Sequence, residues 1–328
     1  MNLRLPQPML PRRGALFAWA LALMLCTMGN AHAQRLIRII VPFGPGAVQD
    51  TIARAINNEL GQALGASVIV ENRAGAGGTV GSAIVAKSPA DGNTLVLAAA
   101  SHHIVGHMYK NLPYDPLKDF VGVAYLGNSG YVVVAGGGLN AGNTREFLSA
   151  VKAKPGGYNY ASAGNGSATH LGMASFLARS GLEMQHIPMK STGDAVNELL
   201  AGRVQAVTSA TIGVIQFRND PRIKFIAYTG RTRSRFLPEL PTAAESGLPG
   251  YEFDSWIGLL APAGLPKAEL ERINQAVTKV MADPAIQERF TRLGVETKAI
   301  STDDFQKLLR ADWDTAAQIV KSSGATVE

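Results

Sequence analysis

Two glycine-containing stretches carry the kinds of group that receive a small anion. The first reads Phe43-Gly44-Pro45-Gly46 and leads to Asp50; the second reads Ala163-Gly164-Asn165-Gly166-Ser167 and leads to Thr169 and His170. Glycine leaves main-chain N–H groups accessible, and the first turn of a helix has N–H groups with no partner of their own, so each stretch would favour negative charge. Ser167 and Thr169 would cap the second helix and donate hydroxyl hydrogen bonds. His170 either touches the same cleft or packs behind it. The plainer alternative for the first stretch is a turn that Gly44 and Gly46 merely shape. Ser101, at the carboxyl end of an apolar run, is expected to face the cleft, while His102 and His103 cap, pack or meet solvent. The chemistry these groups share is the gripping of two polar ends of a small molecule.

Bond-making chemistry finds less support. His103 and His107 have the spacing of a zinc helix, but Ile104 follows His103 where the acid should stand. No serine lies in a G-x-S-x-G elbow, and no H-E-x-x-H or Walker sequence occurs. Gly75-Ala76-Gly77-Gly78 suggests a dinucleotide fingerprint until Val80, which stands where the third glycine is required. No catalytic residue, cofactor or metal is therefore assigned. An envelope α/β enzyme acting on a small carboxylate remains the alternative to a binding protein.

The elements that must position these groups follow from periodicity. Ile37 to Val41 is a β-branched run suited to a buried strand, ended by Pro42, which has no N–H for the next ladder bond. From Asp50 the apolar positions change period, with Ile52, Ala53, Ile56 and Leu60 on one helical face. Strand, glycine loop and helix entrance form the arrangement in which open α/β sheets hold ligands. The pattern recurs at Tyr158 to Ser162, the second glycine loop, and a helix over Thr169 to Ala178. Further strands are expected at Ser67 to Glu71, Thr94 to Ala99, Phe120 to Leu126, Tyr131 to Ala135, Met184 to Pro188, Val204 to Ser209, Ile223 to Tyr228 and Trp256 to Leu260. Gly136-Gly137-Gly138 marks a composition break, placing the first crossing between domains just before it. The helical tail, capped at Ser301 to Asp304, has no strand of its own and is expected to pack on the first domain.

Arg12 and Arg13 precede an apolar segment, Ala15 to Met28, and Ala31-His32-Ala33 has the small-x-small form of a signal-peptidase site. The segment is shorter than the roughly 20 residues that span a bilayer. Leu25 is too large for the residue before an acylated Cys26. Residues 1–33 thus read as a cleaved signal peptide, with a periplasmic protein starting at Gln34. Cleavage removes Arg4, Arg12 and Arg13 and no acid, taking the formal charge from +6 to +3, and removes the only cysteine. With no disulfide and no basic run, the remaining roughly 295 residues suit a two-domain envelope protein and give no sign of a nucleic-acid partner. Arg231, Arg233 and Arg235 read as a solvated face.

At these residues the chain resembles the periplasmic receptors of tripartite tricarboxylate transport systems, the Bug family. The likeness is carried by IIVPFGPGAVQDTIAR, VIVENRAGAGGTVGSAIVAKSPADGNTL, NLPYDPLKDF, YASAGNGSATHL, ELLAGRVQ, WIGLLAPAGLP and ADPAIQERFTRLGVE, in that order. It implies an α/β, two-lobed periplasmic-binding-protein-like fold with a ligand cleft between lobes: residues 34–135 plus 256–328 as lobe 1 and 136–255 as lobe 2. It also implies a monomeric receptor that captures a small carboxylate and delivers it to integral membrane permease subunits. By matching positions, the resemblance assigns Phe43, Gly46 and Asp50 to the first-lobe wall and Ser101 to a strand-end contact. Ser162, Asn165, Gly166, Ser167 and His170 fall in the second-lobe wall. Asp50 would orient loop amides or meet an amino, hydroxyl or water group rather than the carboxylate itself, unless it is simply a helix-entrance charge. Ala47, where the family has glycine, and Met189-Lys190-Ser191, where it has tyrosine-lysine-glycine, leave the identity of the acid open.

Overall fold

The computed structural model describes residues 35–323; the leader, its cleavage pattern and Cys26 lie outside them. Leu36–Val41 forms strand β1, and the chain turns at Pro42 into helix α1, Val48–Leu64. Ile52, Ala53, Ile56 and Leu60 are buried on the face the periodicity predicted, and Gly65 closes the helix with φ 61°. Full burial of such an isoleucine contributes about 1.5–3 kcal/mol, which is why this face anchors the helix against the sheet.

The first sheet adds β2 (Ser67–Asn72), β3 (Thr94–Ala99), β4 (Phe120–Asn128) and, from far down the chain, β10 (Trp256–Pro262). Its order is β2-β1-β3-β10-β4. The first three strands run parallel, with Leu36 opposite Ser67 and Arg38 opposite Thr94, while β10 is antiparallel to both neighbours. Helices α2 (Thr79–Ala86) and α3 (Ser101–Met108) fill the crossovers.

The second sheet repeats this plan. β5 (Tyr131–Gly136), β6 (Asn159–Ser162), β7 (Gln185–Pro188), β8 (Ala206–Ala210) and β9 (Ile223–Tyr228) lie in the order β7-β6-β8-β5-β9. Here β5 is the antiparallel strand, with Tyr131 opposite Ala210 and Val132 opposite Tyr228. Helices α4 (Thr144–Ala153), α5 (Ala168–Ser180), α6 (Thr192–Leu200) and the short α7 (Thr211–Val214) connect its strands. The result is a two-domain α/β fold with a mixed sheet in each half.

One boundary differs from the sequence reading. β5 belongs to the second sheet, so the outward crossing is at Ser129 and Gly130 rather than before the glycine run. Gly136 to Gly138 is a turn beyond that crossing, closed by Leu139 N–H on the Gly136 carbonyl at 3.0 Å. An apolar strand has the same period in either sheet, so periodicity could not say which one it joins. The return crossing at Ser255 lies beside the outward one, with Ser129 N–H donating to the Ser255 carbonyl at 3.1 Å.

Helices α8 (Lys267–Met281), α9 (Pro284–Arg292) and α10 (Thr302–Ser323) complete the described chain. Asp283 caps α9 through the Ala285 N–H at 2.8 Å, with Pro284 in the first turn as expected. The terminal helix packs on β4 and α3 of the first domain, but equally on α5 of the second. Its hold on α3 runs through the histidines: His103 Nδ1 lies 2.7 Å from Asp312 Oδ2, and His107 Nε2 lies 3.0 Å from the Trp313 carbonyl. His102, fully enclosed, meets the Pro116 carbonyl at 3.0 Å.

Candidate functional site

A small cavity of about 20 Å³ lies between the two sheets. From the first half it is lined by Phe43, Val48, Gln49, Ser101 and the crossing residues Ser129 and Ser255; from the second by Tyr131, Ala163, Ser167, Thr169 and Thr192. Its wall contains no charged side chain. It does contain the first residues of four helices: Val48 and Gln49 of α1, Ser101 of α3, Ala168 and Thr169 of α5, and Thr192 of α6. Each helix brings the positive end of its dipole to the cavity, so the electrostatic field there is positive without a cation.

The donors that face it are main-chain groups of the first helical turns. The first intrahelical bond of α1 is Thr51 N–H to the Ala47 carbonyl, and that of α5 is Leu171 N–H to the Ser167 carbonyl, both at 3.0 Å. The N–H groups of Val48, Gln49, Ala168 and Thr169 precede those bonds and have no helical acceptor. Most amides of the two glycine loops themselves are engaged within the protein. Gly46 N–H donates to Asp50 Oδ2 at 3.0 Å, Gly44 N–H to the Lys190 carbonyl at 3.3 Å, Gly164 N–H to Ser162 Oγ at 3.0 Å and Gly166 N–H to His170 Nδ1 at 3.2 Å.

Of the nine residues singled out by sequence, Phe43, Ser101 and Ser167 stand in the cavity wall. The other six stand behind or beside it. Asp50, 5% exposed, accepts Gly46 N–H on one oxygen and Arg54 Nε and Asn72 Nδ2 on the other, both at 2.9 Å. It is fully occupied as an organiser of the first loop. Gly46, at φ +79°, borders a wider groove of about 680 Å³ shared with Gly193 and Arg218. Asn165 sits in a separate depression of about 340 Å³ with Tyr109 and Lys190.

Ser167 caps α5, its Oγ accepting His170 N–H at 3.2 Å and lying 3.0 Å from Thr169 Oγ1. Thr169 Oγ1 also accepts the Ala163 N–H at 2.8 Å. Two hydroxyls share one mutual hydrogen bond and each already accepts an amide, so one hydroxyl proton is left to donate into the cavity.

His170 is enclosed behind the loop, stacked on His186 with ring centroids 4.0 Å apart; Tyr160 stacks on His186 in turn. Burial pushes His170 down to about 4, and burial together with its neighbour pushes His186 down to about 3. Both rings are therefore neutral at pH 7, which leaves His170 Nδ1 free to accept the Gly166 amide. Ser162 Oγ is 2.6 Å from His186 Nε2, and Ser162 is fully buried. Among the described residues no cluster of three or more His, Cys, Asp or Glu side chains could hold a metal ion.

Gln49, Tyr131, Thr192, Ser129 and Ser255 were not singled out by sequence. Gln49 and Thr192 could have been, as first-turn residues of helices that follow loops. Tyr131 and the crossing serines carry no local pattern, since only the pairing of distant strands brings them together. Across the cavity mouth, Phe43 and Ala47 of the first half pack against Ala163 of the second. The Gly44 N–H to Lys190 carbonyl hydrogen bond also joins the two halves.

Residues 52–325 match the family model described as the tripartite tricarboxylate transporter family receptor. Among solved structures, the periplasmic binding protein BugD is 30% identical, with a TM-score of 0.86 over 90% of this chain and 100% of its own. An R. palustris protein solved with adipate is 27% identical, with a TM-score of 0.85 over 90% of this chain and 99% of its own. MatC of Rhodopseudomonas palustris, solved with malate, is 28% identical, with a TM-score of 0.83 over 87% of this chain and 99% of its own. The chain, with its two mixed sheets around a cavity of helix N-termini, belongs to the tripartite tricarboxylate transporter receptor family of periplasmic binding proteins.

Proposed function

We propose that the protein captures a small carboxylate between its two domains in the periplasm and presents it to the membrane permease subunits of a tripartite transporter. The observation that carries this reading is the convergence of four helix N-termini on a cavity with no charged side chain. Such a site stabilises a carboxylate through oriented N–H groups and hydroxyls, with no charged side chain in its wall. The two relatives solved with adipate and malate support the ligand class.

A cavity of about 20 Å³ has room for little more than one water molecule. A dicarboxylate enters only if the domains part, and the two adjacent crossings at Ser129 and Ser255 supply the hinge. The lobes are then roughly 35–129 with 256–323, and 130–255. Phe43, Ser101 and Ser167 touch the ligand; Gly46, Asp50, Ser162, Asn165, Gly166 and His170 shape the loops around it. Residues 1–33 act as the export signal, and the mature receptor works as a monomer without cofactor.

Calorimetry with the mature protein across dicarboxylates, tricarboxylates and monocarboxylates tests the reading. Saturable one-to-one binding of at least one acid, with the acid recovered unchanged, is the expected result. Absence of binding across the series, or steady conversion of the acid, would favour an envelope enzyme instead.

A further inference from the structure

The groove of about 680 Å³ beside Gly46 is distinct from the ligand cavity, although Val48 borders both, and it has one bank from each domain. Thr51 of α1 with Thr291, Arg292 and Leu293 at the end of α9 form the first bank. Asn197 of α6 and the 3-10 turn Ile215–Phe217, followed by Arg218, form the second. Two contacts between the domains border it. A Cβ placed on Gly193 would stand 3.3 Å from the Gly46 carbonyl oxygen, and next to Leu293 a Cβ placed on Gly294 would stand 2.7 Å from Thr211 Cγ2. The width of the groove is therefore set by how far the domains are closed.

The chemistry of the banks points to what fits between them. Ile215, Phe217 and Phe236 supply apolar surface, Arg218 and Arg292 supply positive charge, and no aspartate or glutamate stands in the lining. Arg218 is exposed, and its guanidinium has no partner among the described residues. Arg292 pairs with Glu288, four residues back, at 2.6 Å; both are exposed, so the pair is cheaply exchanged for another carboxylate. Guanidinium groups hold carboxylates through paired N–H donors, and aromatic surface takes up apolar side chains. A concave space of this volume suits a protein segment rather than the flat headgroup layer of a membrane. We propose that this groove docks a periplasmic loop of the permease, one that carries an acidic residue beside an apolar one, and that it does so while the domains are closed. Because the loop touches both banks, it distinguishes the closed receptor from the open one. The inference rests on the receptor reading above and gives it a contact surface.

Photo-crosslinking in the organism's own cells tests it. The full chain carries p-benzoylphenylalanine in place of Gln216, exposed in the second bank, or, as the control, in place of Val80, exposed on α2 outside the groove. Gln216 is expected to crosslink to a periplasmic loop of a multi-spanning membrane protein, with the acidic residue identified by mass spectrometry of the joined peptide, and Val80 is not. Arg218→Glu, alone and with Arg292→Glu, is expected to lower that yield at least about tenfold by setting like charges against each other. Calorimetry of the purified charge variants with malate, succinate and adipate is expected to stay within about twofold of wild type, because both arginines lie outside the cavity wall. Should Arg218→Glu fail to fold, Arg218→Gln removes the charge with less disturbance and gives the same readout. A crosslink to a second copy of the chain, to a soluble protein or to lipid alone, an equal yield from Val80, an unchanged yield in the charge variants, or no crosslink would overturn the proposal. Docking that persists in a protein binding none of the acids would uphold the groove and overturn the carboxylate reading instead.

Discussion

Gly77 of the first domain packs so closely on Asn165 of the second that a Cβ placed on it would stand 2.3 Å from the Asn165 carbonyl oxygen. The contact exists only while the domains are together. Beside it, Tyr109 OH reaches the same oxygen at 3.5 Å. This contact between the two halves borders a depression that shares Phe43 and Ala163 with the cavity wall.

Gly77→Ala should therefore weaken carboxylate binding at least about tenfold, or about 1.4 kcal/mol, by opposing closure. Gly77 has φ +66°, so an alanine there also suffers a local strain of about 1–2 kcal/mol. Gly181→Ala separates the two effects: its φ is +64°, and nothing lies within 4 Å of its Cβ position. Titration of both variants should show lost affinity in the first and wild-type affinity in the second. Equal affinities would remove Gly77 from the closing mechanism.

The hydroxyl pair beneath the second loop should behave as a unit. Thr169→Val leaves the buried Ala163 N–H without its acceptor, a loss of about 1–3 kcal/mol. Ser167→Ala removes the cap on His170 N–H, a loss of about 0.5–2 kcal/mol. Urea unfolding of both single variants and the double variant should show non-additive losses, because the two oxygens are 3.0 Å apart. Additive losses would mean that the two hydroxyls act independently.

Asp50→Ala should disorganise the first loop rather than delete a ligand contact. It strips acceptors from Gly46 N–H and Asn72, and Arg54, half-exposed, turns to water at little cost. Affinity should fall for every carboxylate by a similar factor, with the order among acids kept. A change in that order would show that Asp50 meets the ligand directly.

Acid should weaken the fold through its enclosed histidines. His102 and His186 are held down to about 3 and His170 to about 4, all by burial first. Their unfolded values lie near 6.5, so between pH 6.5 and 4 the unfolded chain binds more protons than the folded one. The stability they contribute is present in full above pH 6.5 and is lost as pH falls towards 4 and below. Urea midpoints should drop from pH 7 to pH 5; a flat profile over that interval would contradict the burial of neutral rings.

Much of this plan could be read from residue order. The switch from the β-branched run ending at Val41 to the helical period of Ile52, Ile56 and Leu60 located β1, its loop and α1 within a few residues. The cap at Ser167 and the proline start of α9 were equally legible, because each depends on neighbours in sequence. What escaped depends on distant pairing. β5 has the same apolar character in either sheet, and only its registers with β8 and β9 place it in the second. The terminal helix showed a packing face, but a face does not reveal that α5 lies on its other side. Glycine loops pointed to amides, yet the structure engages most of those amides internally, and the amides that precede the first intrahelical bonds are those of Val48, Gln49, Ala168 and Thr169.

Native mass spectrometry of the mature protein with added dicarboxylates, followed by release and identification of the bound acid, tests the central claim most directly. A one-to-one complex that releases the acid with its mass unchanged, and that is weakened by Gly77→Ala, is the predicted result. A protein that retains no carboxylate, or that releases a chemically altered one, would contradict it.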